Sequence, residues 1–248
     1  MKISIITICY NSEKTIQDTI ESVVNQDYED IEYIIIDGNS TDGTLAILKQ
    51  YERQIATIIS ENDNGLYDAI NKGILNATGE VIGLIHADDL LADSTVISKI
   101  ANVFSTIKID AIYGDLQYVN QFDTSKVVRN WVSGEYTEGL FLNGWMPPHP
   151  TFYVKKSCYD DFGKYNLDFT SAADYELMLR FIHKHKIRLG YIPDVLVKMR
   201  VGGKSNASLK NRIIANLEDR KAWKVNGITP KFYTLYAKPL SKLLQFFK

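Results

Sequence analysis

Phosphate-cradling glycines are missing where a nucleotide-binding α/β chain often carries them. The first β-branched run leads into ITICYNSEKT with no G-x-G-x-x-G, and neither G-x-x-x-x-G-K-[ST] nor the G-x-S-x-G elbow occurs in the chain. Hydride transfer on a dinucleotide fold, P-loop NTP hydrolysis and serine hydrolysis all lose support. Cysteine is scarce: Cys9 and Cys158 are the only two, without metal-ligand spacing or a disulfide pattern, which predicts a reducing, cytoplasmic setting. No apolar run approaches the ~18 residues of a membrane span, so any membrane contact is expected to be peripheral. The N-terminal MKISIITICYNSE lacks a signal h-region and a small-residue cleavage site, and reads as a first strand. A net charge of −2 gives no global case for a nucleic acid partner. No internal repeat or low-complexity tract is evident.

What the 248 residues do contain is a regular alternation. β-branched runs fall at 3–10, 31–37, 55–60, 80–86 and 110–115, and helical patterns lie between them. EKTIQDTIESVVNQ places Ile16, Ile20, Val23 and Val24 on one face, and TDGTLAILKQY and LYDAINKGILNA supply the next crossovers. Strand and helix alternating over 3–115 predict an α/β fold with a mainly parallel, Rossmann-like sheet flanked by helices. Residues 116–205 change character: Trp131, GWMPPHPTFYV and FGKYNLDF make a loop-rich aromatic part, followed by the helical AADYELMLRFIHKH. Residues 206–248 read as a helical, basic extension.

In an open parallel sheet, ligands sit beyond the carboxyl ends of the strands. The residues ending the predicted strands are Tyr10 and Asn11, Asp37, Glu61 and Asp63, and Asp88 and Asp89. The last pair stands out in LIHADDLL. Two adjacent carboxylates repel unless a cation or a set of donors holds both ionised. The competing explanation is an Asp cap on the helix that DSTVISKIANVF predicts. Carboxylates gathered along one sheet edge favour a binding site over caps.

SIITICYNSEKTIQDTIESVVNQDYEDIEYIIIDGNSTDGT, SENDNGLYDAINKGILNATGEVIG, HADD, YGD, PHPTFYVKK, AADYELMLR and RVGGKSN resemble, in order, the landmarks of family 2 glycosyltransferases with a GT-A fold. The likeness spans roughly residues 1–208 and is nearest the subgroup that builds bacterial O-antigens and capsules. It implies an inverting glycosyltransferase moving a sugar from a UDP-sugar to a hydroxyl of a glycan or lipid-linked oligosaccharide, with Mg2+ or Mn2+ as cofactor. It further implies that residues 1–115 bind the nucleotide-sugar, and that 116–205 carry the acceptor side and the base within the same domain. By the same resemblance Thr7 and Tyr10 line the base pocket, Asp37 accepts a hydrogen bond from uracil, Asp88 faces the ribose and Asp89 ligates the metal. Asp174 matches the catalytic base; Ala173 stands before it where many relatives carry Glu, which leaves the base to Asp174 alone.

Trp145 and His149 correspond to the acceptor-side loop. Gly202 and Gly203 are offered as hinges, with Lys204 and Ser205 as diphosphate contacts. Asp63 either assists base or ribose binding or is an exposed loop charge. His86, where relatives commonly have Asn, either packs beneath the site or touches the donor sugar. After Asp219 every charged residue is Lys or Arg, and Tyr236, Leu240, Leu243, Leu244 and Phe247 recur at helical spacing. Residues 231–248 thus read as a basic amphipathic segment for an anionic membrane surface, such as the cytoplasmic face of an inner membrane, or as a helix packed on protein. A GDP- or dTDP-sugar donor, or a non-catalytic nucleotide-sugar-binding role, are the alternatives.

Overall fold

The computed structural model describes residues 1–202 and 209–235, the side chains of 209–213 excepted. Lys204 and Ser205, with Gly203, and the amphipathic stretch from Tyr236 to Phe247 lie outside the described residues. The N-terminal half runs β1 (Ile3–Cys9), α1 (Ile16–Val24), β2 (Ile31–Asp37), α2 (Thr44–Gln50), β3 (Thr57–Ser60), α3 (Leu66–Asn76), β4 (Val81–His86), β5 (Asp89–Leu91), α4 (Val96–Thr106) and β6 (Ala111–Val119). There follow β7 (Val127–Trp131), β8 (Tyr153–Lys155), α5 (Lys156–Phe162), α6 (Ala173–Met178), β9 (Leu189–Arg200) and α7 (Leu209–Val225). α6 continues into one wider helical stretch, Leu179–Lys184.

The strands stand in the order β3-β2-β1-β4-β8-β6-β9-β5. The first four are parallel, as the alternation predicts. The sequence makes 110–115 the next crossover strand, but β8 stands between β4 and β6 and runs antiparallel to both. Its three residues bridge only the lower ends, Val81 and Ile82 on one side and Ala111 and Ile112 on the other. Further up, β7 takes over as partner of β6 at Leu116–Val119. The sheet is therefore split above β8, and a short turn at His149–Thr151 packs against β4 and β6 there. Thr151 Oγ1 fastens it to the Gly114 carbonyl at 3.0 Å.

β1 and β2 are buried on both faces, which is why their sequences are near-continuous Ile. Alternation sends Ile3, Ile5 and Cys9 into one core with α1, α2 and α4, and Ile6 and Ile8 into another with α3, α6 and Trp223 of α7. Gly83 is where β8 presses closest, since a Cβ there would lie 2.1 Å from the Tyr153 ring.

At the opposite edge from the strand carboxyl ends, Glu32 accepts hydrogen bonds from Ser4 Oγ, Thr78 Oγ1, the Thr78 amide and Lys2 Nζ. Burial alone would raise its pKa, but these donors outweigh it and hold the carboxyl down to about 2, against an ordinary 4.5. A depressed carboxylate pKa stabilises the fold above the unfolded-state value, and that contribution is lost as pH falls through the folded one. Glu32→Gln should therefore flatten the loss of melting temperature between about pH 4.5 and 2. Melting curves with the same slope in both proteins across that window would refute it.

Candidate active site

The loops after β1 and β2 are stitched together before any ligand arrives. Gly38 N donates to the Cys9 carbonyl at 2.9 Å, Asn11 N to Ser40 Oγ at 2.8 Å, and Thr41 N to Asn11 Oδ1 at 2.9 Å. Asn11 and Asn39 take positive φ, 51° and 63°, a conformation Asn tolerates better than most residues. Asp37 is the clasp beneath: Oδ1 accepts from Ser40 Oγ and Cys9 Sγ, and Oδ2 from Ser40 N and Ser60 Oγ. It is fully buried, so a base N–H reaches it only if Ser40 or Ser60 turns its hydroxyl away. Tyr10 projects above, 55% exposed. Asp63 folds over Gly38, where a Cβ would meet Asp63 Oδ2 at 2.6 Å and Tyr10 Cδ2 at 3.4 Å. Tyr10, Gly38 and Asp63 thus form one rim. Thr7 does not belong to it: two residues inside β1 it points into the core, fully buried, with Oγ1 3.0 Å from Tyr33 OH. Strand alternation, not its place near the strand end, decides its surroundings.

At the end of β4 the two aspartates part company. Asp88 is partly exposed, whereas Asp89 begins β5, opposite Met199 of β9, and is fully buried. Neither Asp89 carboxylate oxygen has a hydrogen-bond partner among the described residues. Burial, then Asp88, push its pKa well up, with Arg200 opposing. Neither aspartate caps α4, whose N-cap is Thr95; the turn before it is closed by Asp93, whose Oδ1 accepts from Thr95 N at 2.7 Å and Thr95 Oγ1 at 2.6 Å. Arg200, at the end of β9, donates to the Asp88 carbonyl at 2.9 Å and pairs with Asp18 of α1. The sequence gives no sign of that bridge beyond an Arg opening RVGGKSN.

The third group stands against α3. Asp174 lies in the first turn of α6, partly exposed, with Oδ1 accepting from Tyr67 OH at 3.2 Å. His86 shares the β4 face of Ile82 and Leu84, and its ring centroid lies 5.9 Å from that of His149. His149 Nε2 is 2.6 Å from Tyr165 OH. Burial lowers the pKa of His86, opposed by Asp88 and Asp174. Burial also pushes His149 down to about 4, with Asp174 opposing and His86 adding to the fall. Both imidazoles are neutral at pH 7, and polar but uncharged groups therefore surround Asp174 on this side.

α6 itself is held from outside. Glu218 of α7 accepts from the amides of Thr170, Ser171 and Ala172 at 2.8–2.9 Å. This collects free amides just before the helix, so the C-terminal extension helps to place the acid. Trp145 is set apart from this group. Its Nε1 donates to the Ser133 carbonyl at 2.9 Å, and its ring packs on Tyr113, Tyr136 and Phe141. The acceptor-loop pair is thus divided: His149 stands near Asp174, Trp145 in an aromatic cluster. Tyr67, Asn71 and Tyr165 carry no assignment from the sequence. The available signal was Asn71, a polar residue on the apolar face of α3.

The chain belongs to glycosyl transferase family 2, whose family model matches residues 4–162. It is 34% identical over 183 residues to an uncharacterized glycosyltransferase of Mycobacterium tuberculosis, covering 72% of this chain and 68% of the relative. Its fold matches S. aureus TarS 1–349 in complex with UDP at a TM-score of 0.70 and 19% identity, over 96% of this chain and 68% of that one. It also matches the mannosyltransferase PcManGT from Pyrobaculum calidifontis, in complex with GDP-Man and Mn2+, at 0.68 and 17%, over 98% and 73%. The fold is GT-A, and the protein is a nucleotide-sugar-dependent transferase.

Proposed function

We propose that the protein is an inverting, metal-assisted glycosyltransferase that moves a sugar from a UDP-sugar to a hydroxyl of a glycan, lipid-linked in its natural setting, in the synthesis of a bacterial surface polysaccharide. The observation that carries this is the gathering of Asp88, at the end of β4, and Asp174 about the neutral His86, whose ring centroid lies 5.9 Å from that of the neutral His149. Tyr10 and Asp63 flank the nucleobase, with Asp37 joining once a serine hydroxyl turns, and Asp88 takes the ribose. Asp174 removes the acceptor proton as that oxygen attacks the anomeric carbon, and the bond to the diphosphate breaks on the opposite face. A β linkage and free UDP result. The basic residues after Asp219 suit an acceptor held at an anionic membrane surface, and no helix among the described residues is long and apolar enough to cross a membrane.

The two buried oxygens of Asp89, unpartnered among the described residues, fit a hard cation, Mg2+ or Mn2+. No group of three His, Cys, Asp or Glu side chains that could hold a metal exists among the described residues. That suits an ion held by one carboxylate together with substrate phosphates, the usual way Mg2+ is bound in phosphate sites. Bound there, the ion supplies neutralisation of the charge that develops on the departing diphosphate.

A second donor class has one observation in its favour: PcManGT, of the same fold, binds GDP-Man with Mn2+. Calorimetric titration of UDP, GDP, dTDP and their sugars, with Mn2+ or EDTA, separates the readings. Uridine nucleotides should bind with Mn2+, weakly in EDTA, and weakly to Asp89→Ala under either condition. Equal UDP binding in all cases would remove the metal from Asp89, and preference for GDP would replace the donor. Tight binding of UDP with neither hydrolysis nor transfer from any donor would favour the non-catalytic alternative.

A further inference from the structure

Building on Asp174 as the base, we propose that Tyr67 is its positioning residue: the phenol fixes Oδ1 and leaves Oδ2 as the oxygen that takes the acceptor proton.

The geometry has three parts. Tyr67 OH donates to Asp174 Oδ1 at 3.2 Å, and no hydrogen bond to Oδ2 is present among the described residues. The phenol oxygen also faces the main-chain amides of Asp174 and Ala173, so it sits at the very start of α6. Tyr67 is 6% exposed and its ring stacks on Tyr165, centroids 5.7 Å apart and planes 13° from parallel.

The stack is pinned at its far side by the same helix. Asn71, one turn after Tyr67 on α3, donates Nδ2 to the Tyr165 carbonyl at 2.9 Å and accepts the Tyr165 amide on Oδ1 at 3.0 Å. Residues four apart share a helix face, so α3 grips the chain at Tyr165 with an amide and a ring together. Tyr165 OH in turn meets His149 Nε2 at 2.6 Å. A tyrosine held at ring and hydroxyl has little rotational freedom, and the carboxylate it holds inherits that restriction. Burial and the neighbouring Asp174 favour the neutral phenol, which therefore remains a donor.

A second consequence lies along the chain. Asp63, on the rim with Tyr10, accepts Gly65 N at 2.8 Å, and Gly65 at φ +112° opens α3 directly before Leu66 and Tyr67. The positioning tyrosine thus follows Asp63 of the nucleotide rim by four positions in the chain.

The test is a double-mutant cycle on nucleotide release, with water as acceptor, from whichever of UDP-glucose, UDP-galactose, UDP-N-acetylglucosamine and GDP-mannose the wild type turns over fastest. Tyr67→Phe keeps the stacked ring, so its melting temperature and its calorimetric UDP affinity should equal those of the wild type. Its kcat should fall about tenfold, the scale of one lost hydrogen bond to a charged group, with donor KM unchanged. In the Asp174→Asn background the same substitution should change nothing, because its effect runs through the carboxylate. A wild-type rate in Tyr67→Phe, or an equal loss in both backgrounds, would overturn the proposal while leaving the base in place. A wild-type rate in Asp174→Asn would overturn the base itself, and the role of Tyr67 with it.

Discussion

Asp174→Asn should lower kcat by about 100- to 10,000-fold, the range that a general base contributes. The substitution is nearly isosteric and its amide oxygen can still accept from Tyr67 OH, so shape and packing at the start of α6 persist. What disappears is the lone pair that takes a proton. Nucleotide affinity should stay within about twofold, since the carboxylate acts on the acceptor proton and not on the nucleotide, and uniform binding is separable from transition-state stabilisation. Initial rates, UDP calorimetry and a melting curve on the same preparation check this. A loss below about threefold would send the search for the base to another group facing the cleft, because no general base is so easily dispensed with.

The second large effect is on stability. Arg180→Met should cost about 3–5 kcal/mol, the usual result of breaking a buried ion pair from one side. Glu176 is 2% exposed and meets Arg180 through both oxygens, at 2.9 and 3.0 Å, while also accepting Asn226 Nδ2 at 2.9 Å. Arg180 further donates to the carbonyls of Phe162, Gly163 and Lys164, so one guanidinium joins α6 to the turn after α5, and Glu176 carries the link on to Asn226 just after α7. In a domain of this size the melting temperature should drop by about 6–20 °C. The double variant Glu176→Leu/Arg180→Met should recover part of it, because no buried carboxylate is left uncompensated. A single variant as stable as the wild type in urea would show the pair to be dispensable.

Much of the parallel half is legible in the sequence because its residues are uniform. The run at 31–37 is β2 residue for residue, and helices α1 to α3 fall inside their predicted spans. α1 starts three residues later than EKTIQ suggests because Ser12 to Thr15 form a turn, with Thr15 N on the Ser12 carbonyl at 3.0 Å. The strands beyond residue 116 are another matter. β8 has only three residues, too few for any period to show. β9 contains Pro193, which argues against a strand interior, yet it sits at an irregularity where the register jumps from Ile192 to Val195.

The site divides the same way. Paired aspartates at a strand end are visible as a pattern. Which of them is buried depends on Asp89 joining β5 beside β9, a contact between residues 110 positions apart. The loss of Thr7 from the pocket follows from alternation and was legible in principle. Tyr67 was not, and Asn71 showed only as a polar residue on an apolar helix face, since their partners Asp174 and Tyr165 lie about a hundred residues on.

The wedge of β8 between β4 and β6 also sets a timetable. On a ribosome adding about 5–20 residues per second, β4 waits several seconds before its neighbour at residue 153 has even been made. Throughout that interval four finished parallel strands carry an open edge of buried-type residues, a template for another chain. Nascent chains halted before Tyr153 should be the aggregation-prone and chaperone-bound species in the life of this protein, and those released after Arg200 the first that can close their sheet.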